Sequence, residues 1–280
     1  MASDTRAIYG NAIILPSMGD KASASLTPQS GVTYTDGLSG IEPAILSLMS
    51  AIISNNSDIT NETMTVYVDI VNIHRKINVG DQVTLDLNGT SYAFDVIGFN
   101  HDTLTDASAY GATTKTGNAG ITFQMHDMFA TTYVMNSSST NSGGWKSSDM
   151  RTSTMAIMKA YMPAAWQTAI KPVNKVSGTG GGSSSGTETV SDSCFLLAEI
   201  EIFGYTSYSV FEEEGGGTQY AYYKAGNSKV KNKGGSANFW WERSPHHSNS
   251  YSFCLVNPDG GTDYNNASSD INGVAFGFCV

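Results

Sequence analysis

The sequence predicts an α+β fold of antiparallel strands, two helices and extensive irregular loops, and three observations predict it. Alternating runs rich in β-branched and aromatic residues recur between Met64 and Met125 and include an Asn88-Gly89 pair. A stretch of helical periodicity starts near Ser147-Ser148-Asp149 and stops at Pro163. Only 14% of the 280 residues are charged, while Gly, Ser, Thr and Asn abound, which suits strands and loops.

The elements run in this order. Residues 1–75 read as an N-terminal arm followed by an apolar helix. The arm carries one apolar patch, Ala12-Ile13-Ile14-Leu15-Pro16, expected as extended chain or short strands. From Ile41 to Ser54 apolar residues cover nearly every helical face, with Ser39 or Gly40 able to cap and Pro43 tolerated in the first turn. Such a helix is either a central core element or the seam of a homo-oligomer, which makes this region a place for assembly. Met64–Val71 is strand-like. Gln82–Leu87 and Ser91–Ile97 flank Asn88-Gly89, the strongest short hairpin signal. Ile121–Met125 continues the strands. In the helix after Ser147, Met150, Ile157, Met158 and Tyr161 share a stripe, and Ala164–Ile170 forms a short second helix with Trp166. Gly178–Gly186 reads as a flexible loop, because strand signal resumes over Cys194–Phe203.

The formal net charge is −10, and no Lys/Arg stripe exists to neutralise phosphates, so nucleic acid is not an expected partner. Lys229-Val230-Lys231-Asn232-Lys233 reads as a solvated loop beside Gly234-Gly235. Three cysteines, Cys194, Cys254 and Cys279, allow at most one pair and lack C-x-x-C zinc spacing; free buried thiols fit better. No apolar run reaches the length of a membrane span, so no membrane insertion is expected. Residues 1–20 lack a signal-peptide pattern, which predicts synthesis in a cytoplasm.

Candidate chemistry is thin. Asn257, Asp259 and Asp263 suggest a calcium loop, but Ser268 stands where a twelfth-position Glu is needed, and turn chemistry explains the pattern. His246-His247 lacks visible metal partners, Glu212-Glu213-Glu214 reads as solvated, and His126-Asp127 has no nucleophile in register. No metal and no cofactor are expected.

The most informative stretch runs from Phe239 to Val280. Apolar anchors bracket a small, polar and aromatic middle that is unsuited to a core. The anchors read W-W-x-R-S-P over Trp240–Pro245, F-C-x-V-N over Phe253–Asn257, and N-G-V-x-x-x-F-C over Asn272–Cys279. This pattern resembles the C-terminal half of the C-type-lectin-like variable proteins of diversity-generating retroelements, which are related in function to phage tropism determinants. The G-W-x-S-S-D-x-R order from Gly144 to Arg151, with P-A-A-W after it over Pro163–Trp166, resembles the helical part of the same family. The resemblance implies a lectin-like ligand-binding domain over 76–280, opened by the Asn88-Gly89 hairpin, with a variable segment over 239–280. In that family, adenine-directed copying randomises Asn-type codons, which yields most residues but never Lys, Glu, Gln, Met or Trp. From Ser244 to Val280 none of those five occurs, where whole-chain usage would give about five.

The resemblance implies binding without bond-making. The expected ligand-binding, variable residues are His246, His247, Asn249, Tyr251, Leu255, Asn257, Asp259, Thr262, Tyr264, Asn265, Asn266, Asp270 and Ile271, all on one solvent-facing surface. Trp240, Trp241, Arg243, Phe253, Cys254 and Phe278, together with Val274, would form the inward-facing scaffold. The implied partner is a protein or glycan on a cell surface, met by a protein displayed on a virion such as a phage tail or encoded by a prophage. The alternatives are a tail or surface protein of lectin-like fold that is not diversified, and an enzyme of the sulfatase-modifying type. For the enzyme, neither paired catalytic cysteines nor a metal cluster is visible in the sequence.

Overall fold

The computed structural model describes residues 22–182, 186–212 and 214–280, so the Ala12–Pro16 patch lies outside the described residues. A first sheet takes β1 (Ala22–Ser25), β2 (Thr35–Asp36), β3 (Thr65–Ile70) and β4 (Ile73–Asn78) in the order β1-β3-β4-β2. Only β2 runs parallel to its neighbour. Alternate residues Val66, Val68 and Ile70 of β3 are buried.

Between β2 and β3 lies α1 (Pro43–Ser54), with Leu46, Met49 and Ile53 fully buried. Glu42, rather than Ser39 or Gly40, takes the N-cap position, because Pro43 fixes the first helical φ immediately after it. Of the two readings of this segment, the structure places the helix inside the core of its own chain. Its backbone lies against Gly120, where a Cβ would come within 2.0 Å of the Ser50 carbonyl oxygen. Small polar residues on α1 then tie it down. The Ser50 hydroxyl bonds to the Val280 carbonyl and accepts from the Ile121 N–H at 3.0 Å, and Ser54 donates to the Asn118 carbonyl at 2.5 Å.

The second sheet is antiparallel throughout. It holds β5 (Gln82–Leu87), β6 (Thr90–Phe99), β7 (Ile121–Met125), β10 (Cys194–Phe195) and β16 (Gly277–Cys279), in the order β10-β16-β7-β6-β5. Asn88 (φ 52°) and Gly89 (φ 86°) supply the two left-handed residues that a two-residue hairpin turn requires.

A helical layer comes next: α2 (Gly144–Ser147), a π-helical turn (Met150–Thr154), α3 (Met155–Tyr161) and α4 (Ala164–Ala169). The expected stripe needs correction here. A π turn inserts one residue, which rotates the succeeding side chains by about 100° around the helix axis. Ile157 is therefore 38% exposed and Met155 takes an inward place beside Met150 and Met158. Strands β8 (Val173–Gly178) and β9 (Thr187–Asp192) pair antiparallel on either side of the Gly-rich stretch.

The strand expected over Cys194–Phe203 stops after Phe195, and Glu199–Phe203 is α5. Its carboxylates explain the change: Glu201 Oε2 accepts the Ala198 N–H at 2.9 Å, and Glu199 Oε2 accepts the N–H of Ser209 at 2.8 Å. These bonds hold a short helix that alternation alone cannot indicate.

After α6 (Ala221–Lys224) comes the hairpin β11 (Lys231–Lys233) with β12 (Ser236–Asn238). Lys231 is buried rather than solvated. Its ammonium donates to the Met125 and His126 carbonyls at 2.5 and 3.0 Å, and burial pushes its pKa down to about 8. Finally β13 (Trp240–Pro245), β14 (Ser252–Val256) and β15 (Thr262–Asn266) make an antiparallel sheet in that order. A continuous hydrophobic core runs from Leu38 to Val280 and joins all these layers. The fold is mixed and mostly antiparallel. Beyond α1, its helices outnumber the two expected over 76–280 because several are single turns, too short to show periodicity.

Candidate functional site

The scaffold residues of β13 are buried and individually satisfied. Trp240 donates its indole N–H to the Lys229 carbonyl at 3.0 Å, and Trp241 donates to the Tyr133 carbonyl at 2.8 Å. Arg243 donates to the Val176 and Leu196 carbonyls, both at 3.1 Å, and grips the two oxygens of Glu201 at 2.5 and 2.9 Å. Glu201 also accepts from Lys175 at 3.2 Å, and Lys175 pairs in turn with Asp102. Burial would raise the Glu201 carboxyl, but Arg243 and Lys175 outweigh it and hold it down at about 2. Phe253, Cys254, Val274 and Phe278 are fully buried, and the three cysteines are free.

Above this scaffold the chain between β13 and β14 forms a loop held through its backbone. Fully buried Asn141 splints it. Its amide donates to the carbonyls of Asn249 (2.7 Å), Ser252 (2.8 Å) and His246 (3.2 Å), while its own N–H reaches the Ser250 carbonyl at 2.8 Å. His247 donates both its backbone N–H and its Nδ1–H to the Tyr208 carbonyl, each at 2.8 Å. The buried Glu199 carboxylate accepts the Tyr208 N–H at 3.1 Å, fixing that residue from the other side.

The result is a recess of about 580 Å³ lined by Ser207, Tyr208, His246, His247, Ser248, Asn249, Ser250, Tyr251 and Tyr264. Its rings are in contact. Tyr264 lies 4.5 Å from His246 and 4.8 Å from Tyr208, both edge-on, and His246 stacks on His247 at 5.4 Å. Burial and the neighbouring His247 both lower the His246 pKa, favouring a neutral ring.

The structure thus brings five of the expected residues together, His246, His247, Asn249, Tyr251 and Tyr264, but His246 is only 7% exposed and forms a buried wall of the recess rather than a solvent-facing position. The others are placed elsewhere. Leu255 is 1% exposed and belongs to the core, because it sits mid-way along the central strand of its sheet. Asn257 and Asp259 lie in the turn at the far end of β14, where the Asn257 side chain accepts the Asp259 and Gly261 N–H groups. Thr262 begins β15 beside that turn. Asn265 bonds Ser269, Asn266 bonds Ser139, and Asp270 and Ile271 are exposed beyond the strand.

Tyr208, Glu199 and Asn141 were not singled out from the sequence. Their roles depend on main-chain partners far along the chain, for which residue type gives no signal.

Four further titratable residues correct or sharpen the expectations. Glu214 is buried, not solvated; neither of its carboxylate oxygens has a hydrogen-bond partner, and burial raises its pKa to about 8. Glu242 is similarly buried and unpartnered, with its pKa pushed up by burial and by Glu199 and Glu214. His126 pairs with Asp95 at 2.9 Å, and Asp127 accepts the Asn232 N–H at 2.7 Å, so each of that pair bonds elsewhere. Among the described residues, no group of three or more His, Cys, Asp or Glu is arranged to hold a metal ion, and no helix is long and apolar enough to cross a membrane.

A family model described as a domain of unknown function, DUF6273, matches residues 119–280. That span runs from the start of β7 to the C-terminus and contains the whole recess. No curated protein and no solved structure matches the chain.

Proposed function

The chain belongs to the DUF6273 family, and we propose that it is a ligand-binding protein whose C-terminal segment is diversified by a retroelement, displayed on a phage particle to meet ligands on a host surface. One observation carries this reading. Five residues expected to vary line one recess, on a loop whose path is set by backbone contacts and by buried anchors. Such an arrangement lets side chains change while the frame stays. The absence of Lys, Glu, Gln, Met and Trp from Ser244 to Val280 supports the same reading. The return of β16 to the sheet of β5–β7, with an irregular three-stranded sheet between, supports a C-type-lectin-like domain. Recognition here makes and breaks no covalent bond; affinity comes from tyrosine area and from Asn, Ser and His hydrogen bonds.

The neighbouring DNA provides the test. A reverse-transcriptase gene and an adenine-rich near-copy of the 3′ coding segment are expected, with mismatches concentrated at codons such as those for His246, His247, Asn249, Tyr251 and Tyr264. A near-copy whose mismatches fall at Trp240, Trp241 or Phe253 instead, or no near-copy at all, would sink the diversification reading.

A further inference from the structure

Among the nine residues lining the recess there is no Asp, Glu, Lys or Arg. A charged ligand group entering it would lose hydration without gaining a counter-charge, which is strongly unfavourable. The recess is also not apolar. The backbone selects the tautomer of each neutral imidazole. Ser248 donates its N–H to His246 Nδ1 at 3.2 Å, which leaves His246 with its proton on Nε2. His247 Nδ1–H donates to the Tyr208 carbonyl, so in the neutral tautomer that this bond selects the lone pair is on His247 Nε2. The stacked pair therefore offers one donor and one acceptor side by side. A purely apolar group would leave both without partners.

The edge of the adjoining sheet narrows the ligand further. β15 is an edge strand, and an exposed strand edge normally invites an extended peptide. Here two N–H groups of that strand are already taken by side chains of the preceding residues. Tyr264 N–H bonds Asp263 Oδ1 and Asn266 N–H bonds Asn265 Oδ1, both at 2.8 Å. Strand addition by a peptide is thereby disfavoured.

We propose that the recess binds an uncharged pyranose ring of a glycan, and this rests on the ligand-binding reading above. A pyranose presents an apolar C–H face, which suits Tyr208 and Tyr264. Its adjacent hydroxyls each donate and accept, which suits the His246 donor beside the His247 acceptor. A tyrosine-like side chain of a protein ligand has one hydroxyl and would match only part of this pattern. Tyr208 is then a binding residue contributed from outside the C-terminal segment. Glu199 is its positioning residue, through the N–H bond that fixes the Tyr208 backbone.

The test is saturation-transfer NMR on the full chain with the methyl glycosides of glucose, galactose and mannose. Methyl glucuronide and N-acetyl-tyrosinamide serve as comparisons. At least one neutral glycoside should show transfer, with little from the glucuronide. Tyr208→Ala should weaken it about thirtyfold, the loss of a typical aromatic hot spot. Tyr208→Phe, which keeps the ring and the fold, should largely retain it. Transfer only to the glucuronide or to N-acetyl-tyrosinamide, abolished by Tyr208→Ala, would overturn the saccharide class yet leave a binding recess. Transfer to none of the glycosides would also overturn the saccharide class, and the binding reading would then be decided by the genomic test.

Discussion

Asn141 shows how much one side chain can hold. Its amide serves three loop carbonyls, so Asn141→Ala should strand several buried acceptors, at about 1–3 kcal/mol each. A thermal melt should show a large loss of stability, and hydrogen exchange should quicken first over 246–251. Trp241→Ala should likewise cost about 3–5 kcal/mol by leaving a cavity in the core. Tyr264→Ala should cost about 1 kcal/mol or less, because the residue is 42% exposed, while changing ligand choice. Denaturant curves on the three variants would separate frame from binding face; equal losses at Tyr264 and Trp241 would refute the division. These anchors were legible in the sequence because Trp, Phe and Cys in an apolar-flanked motif have few other places to go. Leu255 was misplaced because alternation along a central strand buried on both faces no longer marks an outside.

At the scale of elements, the hairpin β5–β6 and the buried helix α1 were readable from period and turn chemistry. The short helix α5 was not. It is set by where Glu199 and Glu201 find their donors, and those donors include groups brought near only by folding. The contact of α1 with Gly120 makes a sharp prediction. Gly120→Ala places a methyl against the Ser50 carbonyl and should prevent stable folding. Gly89→Ala, at φ 86° with open space around it, should cost only about 1–2 kcal/mol. Urea titrations of the two variants give the comparison, and similar midpoints would contradict the close packing of α1.

For the whole molecule, buried carboxyls set the pH response. Glu214 has a folded pKa of about 8, raised from 4.5 by burial. The folded state therefore binds more protons than the unfolded state between those values. Its contribution is fully present below about pH 4.5 and is lost as pH rises through about 8. Asp102 and Glu201 are lowered by Lys175 and Arg243, so their contribution fails only in stronger acid. Melting temperature should accordingly fall from about pH 5 to about pH 8, with the raised Glu242 carboxyl adding to the slope, and Glu214→Gln should make the fall shallower. A melting temperature that rises over this interval would show that Glu214 is ionised in the folded protein. None of this was visible in the run Glu212-Glu213-Glu214, since a charge cluster beside glycines gives no sign that one member turns inward.

The bonds of Asn141 to the recess loop end on carbonyl oxygens, which every amino acid possesses. These holds on the loop are made to atoms that no codon change can remove, short of a proline that alters the chain itself, whereas the Nδ1 contacts of His246 and His247 go with their side chains. Inheritance of shape and inheritance of chemistry are separated along the same short loop. A lineage could rewrite what this surface touches many times over while transmitting, unchanged, the posture from which it reaches out.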